Sequence, residues 1–504
     1  MNTQKPSRSG SGASRPKNPN ATKLLLAMAA VTACAALVVV GLLVYTVVTD
    51  RQKSATATPL AAASAFAPAI PIPTLTSAPS LVVTPTVTPT AELPTWTPAP
   101  TATQAITATV AVATDVPTDA PVPTVASTAT PAPPSATPAP PTAAPIKRPV
   151  MKSPDYGMQA FLWWRAEVAK RDLELISYAG FRWVKQDFPW REIEGQGKGK
   201  FDWTVTDRIV EQAAKQNLKL IVRLDSEPTW ASGQVYPNDA KVIMSPPKNY
   251  QDFADFAYQV AARYKGRIAA YQIWNEPNLA REWGGKAPSP ADYTRLLKAG
   301  FEAIKRGDEA AYIITAGMAP TTRNDKVAMP DTAFIKQMYA AGAKPYFGFL
   351  GAHGAGFKAA PEMDPAEVST NAGYYNKGDV NCPGPACRIY CFRHVEDLRQ
   401  IMVDNGDQKK KVVVLEFGWT IDSRPDSPYA WHAVTEEQQA DYFVRAYQYA
   451  KANWQPWIGV MSLIYLPDID WTENDEQYWW SIAVPNYPQF YPREAYNALR
   501  AMAK

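Results

Sequence analysis

The stretch Ala270-Tyr271-Gln272-Ile273-Trp274-Asn275-Glu276-Pro277-Asn278, read together with Val412-Val413-Val414-Leu415-Glu416-Phe417-Gly418-Trp419, decides how this chain folds. Each is a short apolar run that reaches a glutamate, the pattern of a buried parallel strand whose carboxyl end opens onto a site. Desolvation there disfavours an ionised carboxylate unless a partner holds it, so such a residue marks a place where charge is used. Two of them suit a bond whose cleavage needs both an acid and a nucleophile.

Outward from these two runs, the chain from about Tyr156 alternates apolar or β-branched runs with longer segments of helical period. Strands are expected at 157–161, 181–186, 218–224, 270–274, 312–316, 347–352, 411–415 and 458–465. Helices are expected at 206–216, 250–264, 291–306, 392–405, 436–453 and 493–502. Eight strand-helix units in roughly 350 residues predict an α/β fold of the (β/α)8 TIM-barrel type. A doubly wound open sheet would carry a Gly-rich first turn for a nucleotide, and none is present. In the barrel Glu276 ends the fourth strand and Glu416 the seventh, both on the rim where barrel sites are built.

The first 149 residues differ in kind. Residues 1–23 carry five basic residues and no acidic one, and read as a basic cytoplasmic tail. Residues 24–48 are uncharged and apolar; 25 residues at about 1.5 Å each cross a hydrocarbon core of roughly 30 Å, which predicts a transmembrane helix. The excess of positive charge before the span keeps the N-terminus inside and places the rest outside the cytoplasm, with the lipid bilayer as a partner. A cleavable signal that ends near Ala63-Ser64-Ala65 is the alternative. Residues 49–149, almost wholly Pro, Thr, Ala, Ser and Val, predict a disordered, extended linker, and 150–504 the folded domain. The net charge of +4 divides as +6 over residues 1–53, −3 over the linker and +1 over residues 146–504. The folded part is nearly neutral, which argues against a nucleic-acid partner.

On Asn275-Glu276 and Glu416 the chain resembles the retaining glycoside hydrolases of clan A, families 5 and 39 in particular. Similar too are Phe188-Pro189-Trp190, Ile193-Glu194, Gly199 with Phe201-Asp202-Trp203 and Asp207, and Pro228-Thr229-Trp230, so the resemblance spans the whole folded part. It implies Glu276 as acid/base, Glu416 as nucleophile, and Asn275 as donor to a sugar 2-hydroxyl. His353 and Trp471 match further positions of the clan, Trp471 as a floor for a sugar ring; Trp230 and Trp419 are additional stacking candidates. The sequence departs from the pattern at two places. Ala355 stands where a tyrosine often supports the nucleophile, with Tyr374 or Tyr375 as replacements, and Lys185 stands where an arginine is common.

The function expected is therefore hydrolysis of β-linked polysaccharide or oligosaccharide outside the cell, by a two-glutamate double displacement that needs no cofactor and no metal. A carbohydrate-binding protein on a barrel scaffold without turnover is the alternative from another class. Transglycosylation in processing an exported polysaccharide would use the same residues. Cys382, Cys387 and Cys391 cluster after the sixth strand; two could pair in an oxidising exterior, or the three could join His394 around a metal.

Overall fold

The computed structural model describes residues 150–235 and 243–504. The tail, membrane span and linker expected over 1–149 lie outside the described residues. Among the described residues, no helix is long and apolar enough to cross a membrane.

Eight parallel strands close into a barrel in sequence order: β1 (Asp155–Gln159), β2 (Trp183–Pro189), β3 (Lys219–Asp225), β4 (Ala270–Ile273), β5 (Tyr312–Thr315), β6 (Phe349–Ala355), β7 (Lys411–Gly418) and β8 (Ile458–Leu463). A barrel helix follows each strand: α1 (Ala166–Tyr178), α2 (Thr204–Lys215), α3 (Tyr250–Arg263), α4 (Pro290–Gly307), α5 (Asp331–Ala340), α6 (Val395–Asp404), α7 (Glu436–Asn453) and α8 (Glu494–Ala501). Outward strand residues such as Val184, Leu220, Tyr271 and Val412 join the helices in one large core, while inward residues form a cluster of their own. That inner cluster holds Trp183, Ile221, Ala270, Ile314, Val413, Leu415 and Val460, closed below by Met151. Each such apolar side chain contributes about 1.5–3 kcal/mol by leaving water.

Two residues further along the same strands the inward positions turn polar. Lys185, Gln272 and Ser462 are buried there, with Arg223 largely so. The barrel thus has an apolar floor and a charged upper layer. Two irregularities aim the rim glutamates into that layer. In β7 the register with β6 jumps from Ala352↔Val414 to His353↔Glu416. The extra residue turns Glu416 inward, on the same side as Leu415, where strict alternation would point it at the helices. After β4 both Trp274 (φ 69°) and Glu276 (φ 34°) take the left-handed conformation, which costs roughly 1–3 kcal/mol each and is tolerated where surrounding contacts enforce it.

The long segment between β6 and α6 packs around a small cluster of Ala359, Val368, Tyr375, Cys387, Ile389 and Tyr390. Cys382 and Cys387 form a disulfide and Cys391 is free and buried. The metal alternative fails on both counts, because two thiols are in the bridge and His394 is otherwise engaged. His394 Nε2 lies 2.8 Å from Asp331 on α5 and Nδ1 3.0 Å from Asp397 on α6, so one buried imidazole ties two helices to the end of this segment. Burial alone lowers its pKa, but Asp331 and then Asp397 outweigh that and raise it to about 9.

A folded-state pKa above the unfolded value of about 6.5 means that this tie is fully present below that pH and is lost as pH rises through about 9. Between pH 6.5 and 9.5 the His394 tie is expected to contribute about 3 kcal/mol to the stability that the wild type loses, read by urea unfolding. His394→Asn should make the pH-dependent loss smaller by about that amount; a loss as large as the wild type's would rule out His394 as a source.

Candidate active site

The rim irregularities bring the two glutamates to a common neighbour. His353, on β6, has Nδ1 2.9 Å from Glu276 Oε1 and 3.9 Å from Glu416 Oε2. One imidazole nitrogen therefore faces both carboxylates, and those two oxygens are no more than about 7 Å apart, a range that includes the spacing of a paired acid and nucleophile. The ring fits because position 317 is glycine: a Cβ there would overlap His353. His353 Nε2 has no hydrogen-bond partner among the described residues, so the ring's polar contact is with the carboxylates.

Glu416 is held ionised. Lys185 Nζ lies 2.6 Å from its Oε1, and the same ammonium donates to Gln159 Oε1 at 2.9 Å. Burial pushes the Glu416 carboxyl up, yet Lys185, His353 and the more distant Arg223 together bring it down to about 2. Lys185, with only 2% of its side chain exposed, is therefore a counter-ion to Glu416 rather than a surface for sugar. Arg223 is itself clamped between Asp187 at 3.1 Å and Asp225 at 2.7 Å.

Glu276 is bonded at both oxygens. His353 takes Oε1, and Arg281, on a single turn at Ala280–Glu282, reaches Oε2 at 3.2 Å. Burial favours the neutral acid and so does the charge of Glu416, but His353 and Arg281 outweigh them and hold its pKa below the ordinary value. Asn275 accepts from Gln272 through Oδ1 at 3.5 Å, which leaves its amide N–H groups to donate elsewhere.

The aromatic candidates divide. Trp471 is half-buried at the mouth, its ring centroid 4.7 Å from Phe161 and 5.3 Å from Tyr465. Trp419 is a correction to the sequence reading: it is wholly buried against Phe392, Tyr442 and Phe443, and its indole N–H goes to the Ala359 carbonyl. A ring with no open face carries no sugar. Trp230 donates to the Glu194 carbonyl and packs edge-on against Trp190, so it staples the segment after β2 to that after β3. Glu194 in turn accepts from Trp190 and from the Gly199 amide, which gives the Ile193-Glu194 and Gly199 motif a structural purpose. Tyr375 is packed in the cluster of the β6–α6 segment with Tyr374 against it, so neither fills the place of the tyrosine absent at Ala355.

Sequence reasoning missed Tyr465, Arg223 and Arg281. Tyr465 follows β8; burial and then the charges of Glu416, Glu476 and Glu276 raise its pKa well above the ordinary value, so it is a neutral hydroxyl beside the pair. Its place at a strand end was the available signal. A pocket of about 100 Å³ flanks Lys185, lined by Gln159, Phe161, Trp164, Asp187 and Arg223.

Residues 148–341 match the family model of cellulase, glycosyl hydrolase family 5. A β-xylosidase of Geobacillus stearothermophilus is 28% identical over 125 residues, 23% of this chain and 24% of that protein. Among solved structures, a family 39 glycoside hydrolase from the gut symbiont Bacteroides cellulosilyticus WH2 superposes with a TM-score of 0.50 at 19% identity, over 69% of this chain and 63% of its own. A GH39 β-xylosidase from Caulobacter crescentus gives 0.47 at 16% identity, over 70% and 72%. The chain thus spans about a quarter of the curated relative it matches, and the structural likeness speaks for the barrel alone. Over residues 148–341 the chain is thus similar to glycosyl hydrolase family 5, and its fold is a closed eight-stranded barrel.

Proposed function

We propose that the barrel hydrolyses β-linked polysaccharide or oligosaccharide with retention of anomeric configuration, with Glu416 as nucleophile and Glu276 as acid/base. The observation that carries this reading is the asymmetry between the carboxylates. Glu416 has a buried ammonium on Oε1, which keeps it charged, and its Oε2 points towards the partner carboxylate, free to attack. In the first step Glu416 Oε2 bonds to the anomeric carbon, the glycosidic C–O bond breaks, and the Glu276 proton passes to the leaving oxygen. In the second, water gives its proton to Glu276 and its oxygen to the anomeric carbon, and Glu416 departs as carboxylate. Asn275 is assigned the sugar 2-hydroxyl, Trp471 and Tyr465 the ring, and the pocket beside Lys185 the glycone side.

The cellulase-family match and the β-xylosidase relative favour a β-glucan or xylan backbone as the substrate class. The apolar run at 24–48 and the Pro/Thr-rich stretch after it support a domain tethered outside the cytoplasmic membrane, where such polymers are met. Lys185 argues against a pure binder, because a sugar-binding surface gains nothing from a buried cation devoted to keeping one carboxylate ionised.

The full-length chain should hydrolyse an aryl β-glycoside and be inactivated by the matching 2-deoxy-2-fluoro glycoside. Peptide mass analysis should find the adduct on Glu416, and a label on any other residue would overturn the nucleophile assignment. Glu276→Gln should lose about 10²-fold or more on poor leaving groups and far less on activated phenols, because those need less help from an acid. Equal losses on both would remove Glu276 from that role.

The pH profile has a definite sign. The acidic limb of kcat/KM belongs to Glu416, which must be ionised and titrates near 2; the basic limb belongs to Glu276, which must be protonated and titrates below its ordinary value. Activity on neutral substrates is therefore expected to peak at acidic pH. Lys185→Met should raise the acidic limb and lower kcat/KM by about 10²; an acidic limb that stays in place would show that Lys185 does not set the charge of Glu416.

A further inference from the structure

Glu276 has a nitrogen partner at each oxygen, one of them a permanent cation, an awkward state for a residue assigned to deliver a proton. Oε1 faces His353, and Oε2 accepts from the Arg281 guanidinium. A guanidinium only donates and is always charged, so while it sits on Oε2 it favours the ionised carboxylate over the acid that must deliver a proton. Of the two partners, His353 is buried and closely seated against Gly317. Arg281 is the movable one: 56% of its side chain is exposed, and the buried Glu282 carboxylate, 3.6 Å from its Nε, gives it a second anchor when it leaves Glu276.

The other groups around Glu276 do not take Arg281's place. They are Glu282 on the same turn, Glu416 from β7, Tyr429 from the β7–α7 segment, and Tyr465 and Glu476 from the segment after β8. These are carboxylates or neutral hydroxyls, so Arg281 is the exposed cation of the group. With Glu276 assigned as the acid, a cation 3.2 Å from its carboxyl stands beside the group that receives the proton.

We infer that Arg281 is a specificity residue for leaving-group sugars that carry an anionic substituent, a uronic carboxylate above all, which draws the guanidinium off Glu276 Oε2 and so lets the acid keep its proton until it is delivered. This rests on the assignment of Glu276 as acid/base. A carboxylate fits the planar fork of arginine in two parallel hydrogen bonds, a closer match than the single 3.2 Å contact it replaces. A neutral leaving group offers Arg281 no new partner, so only Glu282, already 3.6 Å from its Nε, is left to it. Substrate charge and proton delivery are thereby coupled at one residue, as Arg281 leaves Glu276 when the anion that needs cleaving arrives.

The test uses the full-length chain and pairs of aryl β-glycosides whose phenols have matched acidity and differ only in a ring carboxylate or a ring carboxamide, with a sulfonate as a third arm. Wild type should favour the carboxylate member by about tenfold in kcat/KM, as expected for a close charge pair formed on binding. A sulfonate that does as well would widen the class to anions generally; a sulfonate that does no better than the carboxamide would restrict it to carboxylates. Arg281→Gln should bring the carboxylate preference close to one. It should also move the basic limb on the carboxamide member to higher pH, since Glu276 without its cation keeps its proton longer. Equal rates on both members in the wild type, or a preference that survives in Arg281→Gln, would overturn the proposal while leaving the hydrolase reading intact. Absence of turnover on every member, with no adduct at Glu416, would overturn both.

Discussion

A lysine ammonium sealed inside a barrel is the constraint on which the rest of this site depends. Lys185 sits one layer above a floor of Trp183, Ile221, Val413 and Leu415, where an unpaired cation would cost several kcal/mol. It needs an anion within hydrogen-bond distance, and the only route for one from the seventh strand is an extra residue that turns Glu416 inward. The ion pair and the β-bulge therefore require each other. Without the bulge Leu415 would be followed inward by Phe417, and Lys185 would face a phenyl ring. Without Lys185 the bulge would aim a buried carboxylate at nothing, and burial would neutralise it.

On the opposite rim the means are different. Strand β4 is only four residues long, and the chain leaves it through two left-handed residues, Trp274 and Glu276, on either side of Asn275. That conformation is unfavourable locally, so it survives because Trp274 is wholly buried, its indole bonded to the Glu282 carbonyl, and because the Glu276 amide bonds to the Gly317 carbonyl. Gly317 acts twice, through its carbonyl towards Glu276 and through its missing side chain towards His353. A rigid carboxylate on a bulged strand thus faces a carboxylate on a strained turn, joined by one histidine.

How much of this the sequence disclosed depends on the range of the physics involved. Parallel strands covered on both faces read as continuous apolar runs, so all eight were placed within a few residues. Helix α7 was legible end to end because its start is written locally, in the reciprocal bonds between Thr435 and Gln438. Helix α1 went unread because Arg165 at its start offers no side-chain cap, and α5 because it is short and opens after Pro330. The glutamates were legible as strand ends, but not the bulge that aims Glu416, since pairing register between β6 and β7 is a property of two strands. The Trp419 error has the same origin. Inward and outward alternate along a strand, and the inserted residue reverses which side the following tryptophan takes.

Lys185 changes meaning between the two views. In sequence it is a departure, a point charge in place of the arginine fork; in the structure the fork is present one strand over, as Arg223, held by Asp187 and Asp225. The positive charge around Glu416 is thus divided between a lysine in contact and an arginine behind it. The division has a consequence for chemistry. An ammonium bonds through single hydrogens and occupies Oε1 alone, so Oε2 keeps its lone pairs for the anomeric carbon, whereas a guanidinium at the same place could engage both oxygens. Deep stabilisation of the anion opposes nucleophilic attack, because every contact that favours the carboxylate must be weakened as its charge is given up. Contact on one oxygen and field from a distance keep Glu416 ionised in a buried site and still leave it an oxygen able to react.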